Sequence, residues 1–193
     1  MFRNVRHPVL HLVACGAGPA GDLEPFVKTC QDQGWDVWLV ATPAAAAFVD
    51  RATMADLTGH PVHIDWPAPD EAQPPPPAGA VAVAPATFNT INKLAYGLSD
   101  SYALGLVHEA IALGLPIVTV PAPGEALARH PAFAESVGRL RTWGVSVLFR
   151  PPYDQRGPTE EGQPSAQLPW HAAEELLGEW IRFARVPVGE PAG

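Results

Sequence analysis

Hydroxyl, amide and amine side chains gather where one stretch of this sequence changes from strand-like to helix-like spacing. Pro85-Ala86-Thr87-Phe88-Asn89-Thr90-Ile91-Asn92-Lys93 follows an alanine- and valine-rich run. Thr87, Asn89 and Thr90 bring donors to one strand-to-helix junction, and Lys93 lies one turn further in. A helix start needs one such side chain as its N-cap, and Thr87 or Asn89 serves that purpose. The others can meet the oxygens of a polar or anionic ligand. A second candidate is Gly16-Ala17-Gly18-Pro19-Ala20-Gly21, whose backbone N–H groups can approach a phosphate with no side chain in the way. Its glycine spacing matches the dinucleotide fingerprint, but the next strand ends in Val40-Ala41-Thr42, with no acidic residue to hold a ribose. Taken alone, the glycines suit a tight turn and a nucleotide site equally.

A third group is His63, in His63-Ile64-Asp65-Trp66. Imidazole titrates near pH 6.5, so it can take or hold a proton under ordinary conditions. A packing or surface role suits the same residue. His60, His63 and Asp65 offer three metal ligands in one short loop without a fourth, so no metal is expected. Cys15 and Cys30 have no metal or redox spacing and read as core thiols.

These groups need a scaffold, and the hydrophobic pattern supplies one. Val9–Ala14 is an apolar run of strand length ended by Gly16. Asp22–Gln33 has helical spacing, with Leu23, Phe26, Val27 and Cys30 on one face and Gly34 as its stop. Trp35–Val40 is a second strand. Strand, helix and strand with short links make a parallel βαβ unit. Pro43–Arg51 reads as a short helix, Ala80–Ala84 as a third strand, and Asn89–Gly97 and Asp100–Gly114 as helices stopped by glycine. Pro116–Val120 and Val145–Phe149 complete about five strands. A last helix, Ala172–Arg185, presents Leu176, Leu177, Trp180 and Phe183 to the sheet. The expected fold class is α/β: a doubly wound parallel sheet with helices on both faces, a Rossmann-like or flavodoxin-like three-layer sandwich. Ligands of such sheets sit beyond the carboxyl ends of the strands, where the glycine turn after the first strand and the Thr87–Asn89–Thr90 group after the third fall.

At 193 residues, 47% of them hydrophobic, the chain can bury one core, so a single domain over residues 1–185 with a disordered tail over 186–193 is expected. A net charge of -8 without a Lys/Arg cluster speaks against nucleic acid as partner. No stretch is long and apolar enough to span a bilayer, and Met1–His7 leads straight into a strand; a cytoplasmic protein is expected. The 23 prolines concentrate in 67–77 and 151–169, which must be loops.

The sequence resembles the homo-oligomeric flavin-containing cysteine decarboxylases, which include phosphopantothenoylcysteine decarboxylase and the lantibiotic-modifying enzymes. Their Pro-Ala-Ser-Ala-Asn-Thr motif is similar to Pro85–Thr90, with Thr87 for serine and Phe88 for alanine, and Lys93, Gly97 and Asp100 continue the likeness, which covers roughly residues 9–148. The resemblance implies an FMN site built from Gly16, Ala17, Gly18, Thr42, Pro85, Ala86, Thr87, Asn89, Thr90 and Lys93. It implies a base beside the flavin at His63, the match to a histidine in a His-Ile-Glu-Leu-like context. It also implies a homo-oligomer, a trimer or a multiple of trimers, with the flavin at subunit contacts; Trp66, Tyr96 and Tyr102 suit such a contact and suit a place in the core equally.

The likeness ends after the fourth strand. The family's Pro-x-Met-Asn-x-x-Met-Trp stretch uses its asparagine to hold the substrate carboxylate, whereas this chain has Pro121-Ala122-Pro123-Gly124-Glu125. Glycine offers no amide there, and Glu125 repels a carboxylate unless neutralised; Pro121, Arg129 and His130 are the remaining substrate-binding candidates. The family's later clamp, which in some members carries a cysteine, corresponds to 151–169, where there is none; Tyr153, Arg156 and Gln163 give that loop the polarity of a lid. Ala44, Ala45 and Ala46 replace serines that often hold the phosphate. Three functions follow as expectations: a flavin-dependent decarboxylase or redox enzyme with a non-standard substrate, a non-catalytic decarboxylase-like binding or regulatory module, and a flavin prenyltransferase. His63 favours the first over the third.

Overall fold

The computed structural model of the protein describes residues 7–66, 74–149 and 168–184. Its centre is a five-stranded, all-parallel sheet of order β2-β1-β3-β4-β5, formed by β1 (Val9–Ala14), β2 (Asp36–Ala41), β3 (Ala80–Ala86), β4 (Ile117–Pro121) and β5 (Ser146–Val147). This is the doubly wound, flavodoxin-like order, in which the direction of winding reverses between β1 and β3.

Alternation along the strands sorts side chains onto two faces. Leu10, Leu12, Val37, Leu39, Ala80, Ala82, Val118 and Val120 point to one core. There they meet α1 (Glu24–Asp32) through Leu23, Phe26, Val27 and Cys30, and α7 (Trp170–Ala184) through Leu177 and Ile181. Val13, Val40, Val81, Val83 and Ile117 face a second core made with α3 (Phe88–Ala95), α4 (Tyr102–Ala112) and α6 (Pro131–Thr142). Cys15 and Cys30 are buried, unpaired thiols, as expected of core residues. On α7, Leu176 and Trp180 join the first core, while the side chain of Phe183 and the tail 186–193 lie outside the described residues.

The expected helix over Pro43–Arg51 is instead a 3-10 turn at Pro43–Ala47 followed by α2 (Arg51–Thr58), which starts at Asp50 because that carboxylate accepts from Ala52 N and Thr53 N at 3.0 and 3.1 Å. The strand expected over Val145–Phe149 pairs only at Ser146 and Val147. The third strand runs two residues further than expected, to Ala86. Pro85 lies where the β3–β4 register shifts between Val83 and Ala86, so its missing N–H is tolerated in an interior strand. Between β4 and β5 the chain forms α5 (Glu125–Ala128) and α6. Tyr102 is buried, whereas Trp66 and Tyr96 are exposed. Most of the two proline-rich stretches lies outside the described residues; Pro74 to Pro77 belong to no helix or strand.

Candidate functional site

Parallel strands deliver their carboxyl ends to one edge of the sheet, and the loops there fold over the point where winding reverses. Gly16 follows β1, Thr42, Pro43 and Ala44 follow β2, and Thr87, Asn89, Thr90 and Lys93 follow β3. Together with Asp100, Ser101 and Leu104 at the start of α4, they line a cavity of about 210 Å³.

Local chemistry explains the arrangement. Thr87 is the N-cap of α3: its Oγ1 accepts from Thr90 N at 3.2 Å and lies 2.9 Å from Thr90 Oγ1. The cap reading of Thr87 is thus correct, and it leaves the Asn89 amide on the cavity wall. Ser101 caps α4 by accepting from Leu104 N at 3.4 Å, which leaves its hydroxyl hydrogen for another acceptor. Gly16 is required by close approach, because a Cβ there would fall 2.8 Å from Ala44 O and 2.9 Å from Ala44 Cβ. Gly18 has open space where a Cβ would go and is not held by the same constraint.

Lys93 and Asp100 are the charged pair of the lining, 2.6 Å apart. The hydrogen bond from Lys93 holds the Asp100 carboxyl below its ordinary range. Beneath the wall, burial pushes the Cys15 thiol up to about 11, against hydrogen bonds to the Thr90 side chain and the Thr87 backbone. Cys15 does not line the cavity, and its burial disfavours the thiolate that a nucleophile needs.

Of the cofactor candidates, Gly16, Thr42, Thr87, Asn89, Thr90 and Lys93 reach the cavity. Ala17, Gly18, Pro85 and Ala86 do not line it. Ala17 N donates to Cys15 O, Pro85 O accepts from Cys15 N, and Ala86 O accepts from Ala122 N, so these residues close the strand ends behind the wall. Pro43, Ala44, Asp100, Ser101 and Leu104 complete the lining and were not among the candidates. Of these, Asp100 had a sequence signal, as the end of the continuation of the Asn89 motif.

His63 lies at the outer edge of β2, where it forms a parallel bridge with Val40. His63 N donates to Leu39 O at 3.1 Å, and its carbonyl accepts from Ala41 N at 2.7 Å. The imidazole is 6.3 Å from the Tyr102 ring and 6.0 Å from Trp38. It is not among the residues that line the cavity; the buried Tyr102 it meets is the chain neighbour of the lining Ser101. His60 stacks on Trp38 at 3.9 Å and bonds Asp36 at 2.6 Å, so it is occupied away from His63. Among the described residues no cluster of His, Cys, Asp and Glu has the form of a metal site.

The substrate candidates form a separate group. Pro121 ends β4 and is buried. Arg129, just past the end of α5, is ion-paired with Glu125 at its start, both exposed, which neutralises the carboxylate that the sequence placed beside Gly124. His130 Nδ1 caps α6 by accepting from Ala132 N at 3.2 Å, and its ring meets Phe88 edge-on at 5.7 Å.

A family model described as Flavoprotein matches residues 3–172. The chain belongs to the Flavoprotein family. A bifunctional coenzyme A biosynthesis protein, CoaBC, of Thermococcus kodakarensis is 30% identical over 124 residues, which is 60% of this chain and 30% of that protein. This flavoprotein chain therefore spans under a third of the length of the curated relatives it matches. Among solved structures, the FMN-dependent cysteine decarboxylase TvaF from thioviridamide biosynthesis superposes with a TM-score of 0.67 at 21% identity, covering 90% of this chain and 99% of that one. HAL3 from Cryptococcus neoformans gives 0.69 at 20% identity, covering 93% and 98%. Both share the flavoprotein fold seen here.

Proposed function

We propose that this flavoprotein binds FMN in the cavity at the carboxyl ends of β1, β2 and β3, and acts as a flavin-dependent decarboxylase or redox enzyme on a substrate other than the usual cysteinyl carboxylate. The observation that carries the reading is the convergence of Gly16, Thr42, Thr87, Asn89, Thr90 and Lys93, from three separate loops, on one cavity. The residues suit the cofactor. Neutral hydroxyl and amide donors and one lysine match a phosphate-bearing polyol, and the bare Cα of Gly16 against Ala44 keeps that wall thin. Such a flavin supplies a two-electron acceptor. His63 is the base of this reading: its backbone is fixed to β2, and its imidazole can take or hold a substrate proton beside Tyr102. Gly124 and the Glu125–Arg129 pair leave the usual carboxylate contact unfilled, hence the different substrate.

That last observation also favours a second reading, a decarboxylase-like module that binds FMN without turnover. Assembly as a homo-oligomer belongs to both readings and is checked by light scattering. The test of the first is the visible spectrum of the purified protein, with the released chromophore identified by mass. Oxidised flavin bands and the mass of FMN are expected, with loss in Asn89→Ala. A colourless protein that takes up no added FMN sinks both readings. FMN uptake with a flavin that substrate candidates never reduce, in wild type and His63→Ala alike, leaves the module.

A further inference from the structure

Trp66 is 57% exposed, yet its indole is pressed against α4 so closely that a Cβ on Gly105 would lie 2.6 Å from Trp66 Cη2 and 3.0 Å from Cζ2. Its ring also meets Tyr102 edge-on, 5.2 Å between centroids. The indole thus has a fixed seat on the helix whose first turn, through Ser101 and Leu104, lines the cavity. Gly105 lies one turn beyond the lining Ser101, to whose carbonyl its N–H donates at 3.0 Å, so the seat and the cavity wall adjoin on one helix face.

The cavity encloses about 210 Å³, less than the ~300–1,000 Å³ of pockets that hold ligands of drug or cofactor size. Seven of its eleven lining residues carry hydroxyl, amide or charged side chains, and none is aromatic. That chemistry suits a polyol phosphate better than a planar tricyclic ring, which binds best on an aromatic face. We propose that Trp66 is the residue that packs on the flavin ring, a role that rests on the FMN reading above and gives the ring a wall beyond the cavity rim. Gly105 then acts through Trp66 as a positioning residue, because only a residue without Cβ lets the indole sit against α4. Tyr102 is also the ring that His63 meets, so Trp66 and His63 share one aromatic neighbour.

The test titrates the full chain, freed of bound flavin, with FMN and with lumiflavin, which has the ring but no phosphate. Flavin fluorescence and tryptophan emission are read in wild type, Trp66→Leu and Gly105→Ala. Trp66→Leu is expected to weaken FMN by about tenfold, as for loss of one stacked aromatic, to weaken lumiflavin by a similar factor, and to relieve quenching of the bound flavin. Gly105→Ala should move both ligands the same way, though less, since the exposed indole can shift aside. Circular dichroism checks that each variant is folded. Wild type that binds FMN with affinity and quenching unchanged in both variants overturns the role of Trp66 while leaving the FMN site standing. Wild type that binds no FMN removes the reading beneath it as well.

Discussion

The carbonyl oxygen of Ala44 lies 2.8 Å from the point where a side chain on Gly16 would begin. The turns after β1 and β2 are therefore in backbone contact across the cavity wall, and neither can be altered alone. Gly16→Ala should cost about 1–3 kcal/mol, the range for forcing an atom into a packed site, and should weaken FMN uptake as the wall is displaced. Gly18→Ala meets nothing within 4 Å and should leave both unchanged. Urea melts and FMN titrations of the pair are the measurement; equal losses in both variants would contradict the assignment.

The Lys93–Asp100 pair sets the charge of the cavity. Asp100→Asn removes the carboxylate that competes with an anion for Lys93, so FMN should bind about two- to fivefold more tightly, the scale of an exposed ion pair. The gain should shrink as salt is raised. Titration at two ionic strengths reads this directly.

His11, on β1, is buried and donates from Nε2 to Pro76 O at 2.9 Å in the matching tautomer. Burial holds its pKa below the ordinary value, with a smaller contribution from neighbouring His63, against the Pro76 bond. The unfolded chain then binds a proton that the folded chain refuses. This contribution to stability is complete above about pH 6.5 and is lost as pH falls from there toward the depressed folded value. Urea melts between pH 7.5 and 5.5 should show the decline, and His11→Asn should flatten it.

Thr119, in the middle of β4, is fully buried, and its hydroxyl has no hydrogen-bond partner among the described residues. Thr119→Val keeps the shape and removes an unsatisfied polar atom, so it should stabilise the protein by about 1 kcal/mol or more. A higher Tm in a thermal melt is the expected result, and a lower one would mean that the hydroxyl has a partner in solution.

The parts of this fold that announced themselves in sequence are those whose burial is two-sided or strongly one-faced. β1, β2 and β3 read as largely apolar runs because both their faces are covered, and α1 showed its stripe at Leu23, Phe26, Val27 and Cys30. α2 left little trace, since only Met54 and Thr58 are buried on it. α6 did carry a signal, Phe133, Ser136, Val137 and Leu140 at helical spacing behind Pro131, but serine in the middle of the stripe breaks the apolar pattern. Ser136 is there because it donates to Asn92 Oδ1 at 2.7 Å, a tertiary contact that periodicity does not record. For the cavity, the loops after β1 and β3 were legible through glycines and through the Thr87–Asn89–Thr90 cluster. Ser101 and Leu104 were not, because α4 reaches the wall only through packing against its neighbours.

The bridge between His63 and Val40 has a bearing on how the chain behaves in a crowded solution. β2 is an outer strand, and such strands offer open N–H and C=O groups to any other extended chain. The two hydrogen bonds from the His63 backbone occupy those groups at Leu39 and Ala41. The segment that holds the imidazole in place thus also blocks this end of the sheet against edge-to-edge aggregation.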